Sequence, residues 1–195
     1  TELKKVVDAP ANGKFVIMGG SKAATKIPVI KNLLPRSEAI LVGGVIANDI
    51  LFVKGQDIGD SVHDQDADVL LQEIDLTNEK LVIPTDFIIE AGKFLDIGED
   101  STQKFIEIIK TAKTVVWNGP VGMAEDPRFA RGTEVIAQAI IDSGALSVLG
   151  GGDTIAAVHR LNLIDKFSFI STGGGAMLSF LAGDKLPGLT ALNYA

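Results

Sequence analysis

The sequence predicts an α/β fold: a three-layer, doubly wound, predominantly parallel sheet of the Rossmann-like kind, with helices on both faces. Three observations predict it. Short apolar runs alternate with helical patterns six times along the chain. The runs are continuously apolar rather than alternating, as expected of strands buried on both faces. Nearly every run ends on glycine or another turn residue, the punctuation of strand-to-helix connections.

Taken in order, the first strand is residues 14–18, ending at Gly19-Gly20, and Pro28 sets the first turn of the helix behind it. Residues 39–42 form the second strand, before Gly43-Gly44, followed by helices over 45–53 and 64–73. A third strand, 81–83, stops at Pro84, and a helix over 101–112 opens on what resembles a capping box from Asp100 to Gln103. Strand 114–117 runs into Asn118-Gly119-Pro120. The helix over 129–142 places Phe129, Thr133, Ile136 and Ile140 on one stripe. Strand 146–149 precedes Gly150-Gly151-Gly152 and a helix starting near Asp153. Strand 167–170 precedes Ser171-Thr172-Gly173-Gly174-Gly175 and a helix starting near Ala176. No internal repeat, low-complexity stretch or linker interrupts the pattern, so residues 1–195 read as one domain.

Composition removes whole classes of function. The 195 residues suffice for a sizeable core, and 46% hydrophobic residues with mean hydropathy +0.29 exclude a disordered chain. No apolar run approaches the roughly 18 residues of a membrane span. Thr1-Glu2-Leu3-Lys4-Lys5 has no apolar signal core behind it, so the expected location is cytoplasmic. With no cysteine, disulfides, thiolate metal sites and cysteine nucleophiles are out. Two histidines, His63 and His159, lie in polar, helical-looking sequence and receive no role. A net charge of −7 argues against nucleic acid or a membrane surface as partner. An acidic chain binds phosphate only through local devices: helix N-termini, exposed backbone N–H groups and a few placed lysines.

The 21 glycines supply those devices. Three strand-to-helix turns stand out: Gly19-Gly20-Ser21-Lys22-Ala23-Ala24-Thr25-Lys26, Gly150-Gly151-Gly152-Asp153-Thr154 and Ser171-Thr172-Gly173-Gly174-Gly175-Ala176. Each brings backbone N–H groups and a helix N-terminus to the carboxyl edge of the sheet, where open α/β folds bind ligands. One such loop is as readily a tight turn. Three on one edge point to a polyphosphate. Lys22 and Lys26, four apart, share one side of the chain if it is helical there. Asp153 caps a helix or holds Mg²⁺ beside the phosphates, Thr154 donates to a phosphate or caps the same helix, and Glu125 accepts from ribose hydroxyls or is simply solvated. GxxxxGK[ST], GxGxxG and the protein-kinase signatures are absent. That argues against a dehydrogenase or methyltransferase cofactor domain. A non-catalytic nucleotide-binding module stays open as an alternative to a kinase.

Taken together, these motifs resemble the phosphoglycerate kinase family. The likeness runs through residues 19–26, 43–47, 95–98, 117–125, 129–133, 150–154, 171–176 and 186–188, in family order, over residues 15–192. WNGPVG, GGGDT and STGGGA in succession carry most of it. The resemblance implies ATP-dependent phosphoryl transfer between 1,3-bisphosphoglycerate and ADP in glycolysis, with Mg²⁺ and ADP or ATP as the bound species. It implies that Lys22 meets the transferred group, with Gly174 and Gly175 as backbone donors beside it. Gly20 and Lys26 then serve the inner phosphates, and Gly151, Gly152, Asp153 and Thr154 form the phosphate and Mg²⁺ loop, Asp153 as the metal residue. Gly43, Gly44, Asn118 and Glu125 match positions around the adenosine. Thr25 stands where the family usually has Asp, Glu99 replaces a common Pro and Ser179 a common Glu. The stretch 91–94 is shorter than in many members. Residues 1–12 resemble the interdomain helix and linker, with the basic phosphoglycerate-binding domain absent. The expectation is therefore a monomeric nucleotide-binding half that meets 3-phosphoglycerate or 1,3-bisphosphoglycerate only through the missing domain, with little or no turnover alone.

Overall fold

The computed structural model describes residues 2–191; Thr1 of the expected interdomain helix and position 192 of the family likeness lie outside them. Six parallel strands form the main sheet: β1 (Lys14–Met18), β2 (Ala39–Val42), β3 (Leu81–Val82), β6 (Thr114–Asn118), β7 (Leu146–Gly150) and β8 (Phe169–Ser171). Their order is β3-β2-β1-β6-β7-β8, so the winding reverses between β1 and β6, as the predicted doubly wound fold requires. Phe15, Val16 and Ile17 face Val115, Val116 and Trp117 across that seam.

Continuous apolar strands have two cores to fill. Val16, Met18, Ile40, Val42, Val116 and Val148 point to one. Over that face lie α1 (Glu2–Asp8), α2 (Ile27–Leu33), α3 (Gly44–Val53), α4 (Ala67–Leu71) and α8 (Gly174–Ala182). Phe15, Ile17, Leu41, Val115, Trp117 and Leu149 point to the other, under α5 (Glu99–Ile109), α6 (Arg131–Asp142) and α7 (Gly152–Arg160). A short helix, α9 (Pro187–Ala191), ends the described chain.

Four local expectations need correction. The helix placed at 64–73 covers only Ala67–Leu71, because the Asp64 N–H donates to Asp49 Oδ1 (2.7 Å) and ties that segment to α3. His63 therefore sits in a loop, stacked on Phe52 with ring centroids 4.1 Å apart. The capping box at Asp100 does not form. Asp86 caps α5 from outside, accepting from Ser101 N–H (2.8 Å) and Asp100 N–H (3.0 Å), and its hydrogen bonds hold its carboxyl below the usual carboxylate range against the cost of burial. Strand β8 starts at Phe169 because, one residue earlier, the backbone N–H groups of Ser147 and Ser168 each donate to the other's hydroxyl at 3.1 Å instead of to a strand partner. Finally, a two-stranded ribbon, β4 (Phe87–Glu90) and β5 (Lys93–Ile97), turns through Ala91 and Gly92, both at positive φ. The periodicity gave no sign of it.

Candidate functional site

The loops leaving β1 and β6 meet at the point where the winding reverses. Gly19 N–H donates to Asn118 O (3.0 Å) and Gly20 N–H to Pro120 O (2.7 Å). Gly44 N–H reaches Val121 O (2.9 Å), and Val45 N–H reaches Gly20 O (3.0 Å). Glycine is needed here for packing: a Cβ on Gly119 would run into Gly19 O, and one on Gly44 would come 2.8 Å from Gly20 N. Gly43 is buried the same way, 2.7 Å from Val121 Cβ were it alanine, and it does not line the cleft described below.

The glycines of the other two loops behave differently. A Cβ on Gly152 or Gly175 would meet nothing within 4 Å, and one on Gly174 would stand 3.7 Å from Gly151 Cα. These backbones line open space at the N-termini of α7 and α8. Asn118 lies against Gly150 and Gly151. It is 2% exposed, its amide is 3.3 Å from where a Gly151 Cβ would stand, and its Nδ2 has no partner among the described residues. A buried donor without an acceptor costs about 1–3 kcal/mol. Thr154, fully buried, accepts the Gly119 N–H at 2.7 Å. Its oxygen fastens α7 to the β6 loop.

Lys26 is the buried cation of this region, 6% exposed. Its Nζ lies 3.4 Å from Lys22 O and beside Gly20, and no carboxylate forms an ion pair with it among the described residues. Burial lowers its pKa, Asp153 raises it through space, and Lys22 lowers it again. Lys22 itself is exposed, at the start of a 3-10 turn over Ala23–Thr25, so the two ammonium groups are not equivalent as a helical spacing would suggest. Thr25 donates its hydroxyl to Lys22 O (2.9 Å), fixing the turn.

A cleft of about 270 Å³ continues from this cradle toward the ribbon. Gly20, Ser21, Gly44 and Asp153 line the end next to the glycine loops. Val45, Val62, Phe87, Phe94, Val121 and Met123 line the far end, with Asn48, Lys93 and Glu125 as polar groups. Phe87 and Phe94 stack on each other, centroids 4.2 Å apart. The structure thus brings Gly20, Gly44, Glu125 and Asp153 into one cleft, and keeps Asn118 against Gly150 and Gly151.

Hydrogen bonds encircle the mouth. Asn48 Nδ2 holds Val62 O (2.9 Å), Asp60 N–H holds Gly92 O (2.8 Å), and Met123 N–H holds Leu95 O (2.7 Å). Arg128 joins Glu90 on the ribbon (2.8 Å) to Asp126 beside the cleft loop (2.7 Å). Sequence reading missed the aromatic pair, Asn48 and Asp96. The short stretch before Leu95 lies in this same wall.

Fold and loops define the class: a doubly wound α/β domain with a candidate phosphate cradle at its switch point. Comparison with known proteins supplies the family. The sequence matches the phosphoglycerate kinase family over residues 1–184, and the chain belongs to that family. It is 44% identical over 213 aligned residues to the phosphoglycerate kinase of Wigglesworthia glossinidia brevipalpis, covering 98% of this chain and 54% of that protein. The phosphoglycerate kinase structure from Coxiella burnetii superposes with a TM-score of 0.90 at 33% identity, over 98% of this chain and 55% of that one. That from Pyrococcus horikoshii OT3 gives 0.86 at 32%, over 99% and 55%. The chain thus spans about half the length of the relatives it matches.

Proposed function

We propose that residues 1–195 form the Mg·ADP/ATP-binding half of a phosphoglycerate kinase, with the nucleotide's phosphates in the cradle and its base in the apolar end of the cleft. One observation carries the reading. A buried lysine with no ion-pair partner among the described residues lies beside Gly20, a buried amide without an acceptor lies beside Gly151, and a polyphosphate spanning the two loops would satisfy both.

The residues present fit a magnesium ion. No cluster of three His, Cys, Asp or Glu side chains suited to a metal occurs among the described residues. Asp153 is the carboxylate at the phosphate end, and one carboxylate suits Mg²⁺ carried chiefly by phosphate oxygens and water. When bound, the ion would neutralise phosphate charge.

The protein's share of the chemistry is placement and charge. Lys26 and Gly20 would hold the inner phosphates. The N–H groups of Gly151 and Gly152 would grip the chain of phosphates at the start of α7, with Thr154 keeping that turn in place. Gly174 and Gly175, at the start of α8, would face the transferring group, and exposed Lys22 would stabilise its equatorial oxygens. Fixed amide dipoles need no reorganisation as charge develops. In this reading the γ-phosphoryl passes directly between ADP and the carboxylate of 3-phosphoglycerate. That acid is held by the half of the family's length outside this chain. The domain is proposed to be monomeric and cytoplasmic. The described helices include none long and apolar enough to cross a membrane.

Calorimetry with Mg·ADP, and crystals grown with an ATP analogue, test the assignment. Binding with phosphates between Lys22, Lys26 and Asp153, and negligible turnover until a phosphoglycerate-binding domain is added in trans, is the expected result. Absence of Mg·ADP binding, or phosphates lying away from Lys22 and Asp153, would overturn it.

A further inference from the structure

Asp96 lies in the cleft wall, yet nothing about its chemistry suits a ligand. It is 3% exposed and both carboxylate oxygens are spent on backbone: Oδ2 accepts from Gly132 N–H (2.7 Å) and Oδ1 from Ile97 N–H (2.9 Å). Helix α6 starts at Arg131 after Ala130, which offers no side-chain cap, so Asp96 caps it across 36 residues. Gly122 and Gly132 are glycine because the Asp96 carboxyl occupies the space of their Cβ. Three segments therefore converge on one carboxylate: β5, which carries Phe94; the loop with Val121, Gly122 and Met123; and the start of α6.

We propose that Asp96 is a positioning residue for the base end of the cleft, fixing the distance between the Phe94 wall and the Val121–Met123 wall. This rests on the nucleotide reading above. Isosteric Asp96→Asn tests it, since an amide can accept from only one of the two N–H groups and presents a donor to the other. The probes are adenosine and inorganic tripolyphosphate, titrated separately into wild type and variant. The expected result is a loss of about tenfold or more in adenosine affinity, with tripolyphosphate affinity unchanged. Equal affinity for adenosine, or equal losses for both probes, would overturn the proposal. Wild type that binds neither probe would instead refute the nucleotide reading.

Should D96N fail to fold, wild type decides. Burial pushes the Asp96 carboxyl up to about 6, with Glu134 on α6 adding to the rise and the two N–H donors opposing it. Lowering pH through that value should shift the Gly132 and Ile97 amide resonances together and weaken adenosine binding in step. Amide shifts without loss of affinity would overturn the proposal, as would affinity indifferent to pH.

Discussion

The Thr154 hydroxyl accepts the Gly119 N–H at 2.7 Å, and through it the first turn of α7 is held to the loop that follows β6. Both groups are buried, and no other side chain among the described residues supplies that acceptor. Thr154→Val keeps the shape and strands the N–H. It should cost about 1–3 kcal/mol, read as about 2–4 °C of Tm per kcal/mol for a domain of this size. Thr154→Ser should restore most of it in the same thermal melt.

Lys26 pits stability against binding. Its pKa is lowered from 10.5, chiefly by burial, so the folded state holds the proton less tightly than the unfolded chain. The unfolded state then binds more protons between the two pKa values, and stability is lost as pH falls through the folded one. Lys26→Met removes that penalty. The variant should melt higher than wild type without ligand near neutral pH, and lose about tenfold or more in Mg·ADP affinity by calorimetry.

Gly152 and Gly119 should separate binding from folding. Gly119 has φ +90° and no room for a methyl group, so Gly119→Ala should destabilise by about 2 kcal/mol or more. Gly152 is the first residue of α7 and has open space around it, so Gly152→Ala should leave Tm equal or higher, since alanine favours a helix. Its methyl group would nonetheless stand where a phosphate is expected, and Mg·ADP affinity should fall about tenfold.

Asp49 offers a pH test without ligand. Burial raises its carboxyl from 3.8 to about 6, while its bond from Asp64 N–H and the nearby His63 oppose the rise, and Oδ2 has no partner. A raised acid binds its proton more tightly folded than unfolded, so stability falls as pH rises from 3.8 through about 6. Asp49→Asn keeps the Oδ1 acceptor and removes that loss. Denaturant titrations should find D49N gaining on wild type across this window by about 1–3 kcal/mol, then running parallel above it. The rise at Asp96 has the same sign, but there both oxygens are used, so the amide costs what it spares at Asp49.

What could be read from sequence followed from locality. Lys14–Met18 and Ala39–Val42 were placed to the residue because burial on both faces leaves an unbroken apolar run. The glycine loops were legible because close packing and open cradle alike demand glycine. What sequence hid was which glycine served which purpose: Gly43 packs, whereas Gly152 opens. The ribbon was invisible because a register shift between Ile88 and Ile89 breaks the two-residue period, and its turn places a non-glycine, Ala91, at φ +48°. Asp86 and Asp96 cap helices whose first turns lie 14 and 36 residues away, beyond the reach of any local pattern.

The bonds around the cleft mouth close on themselves. Asn48 grips the 55–66 loop, that loop grips the ribbon at Gly92, and the ribbon grips the 119–128 segment through Leu95 and Glu90. A hoop has no hinge-free end to swing aside. Any ligand should therefore enter and leave along the axis of the cleft rather than through its side.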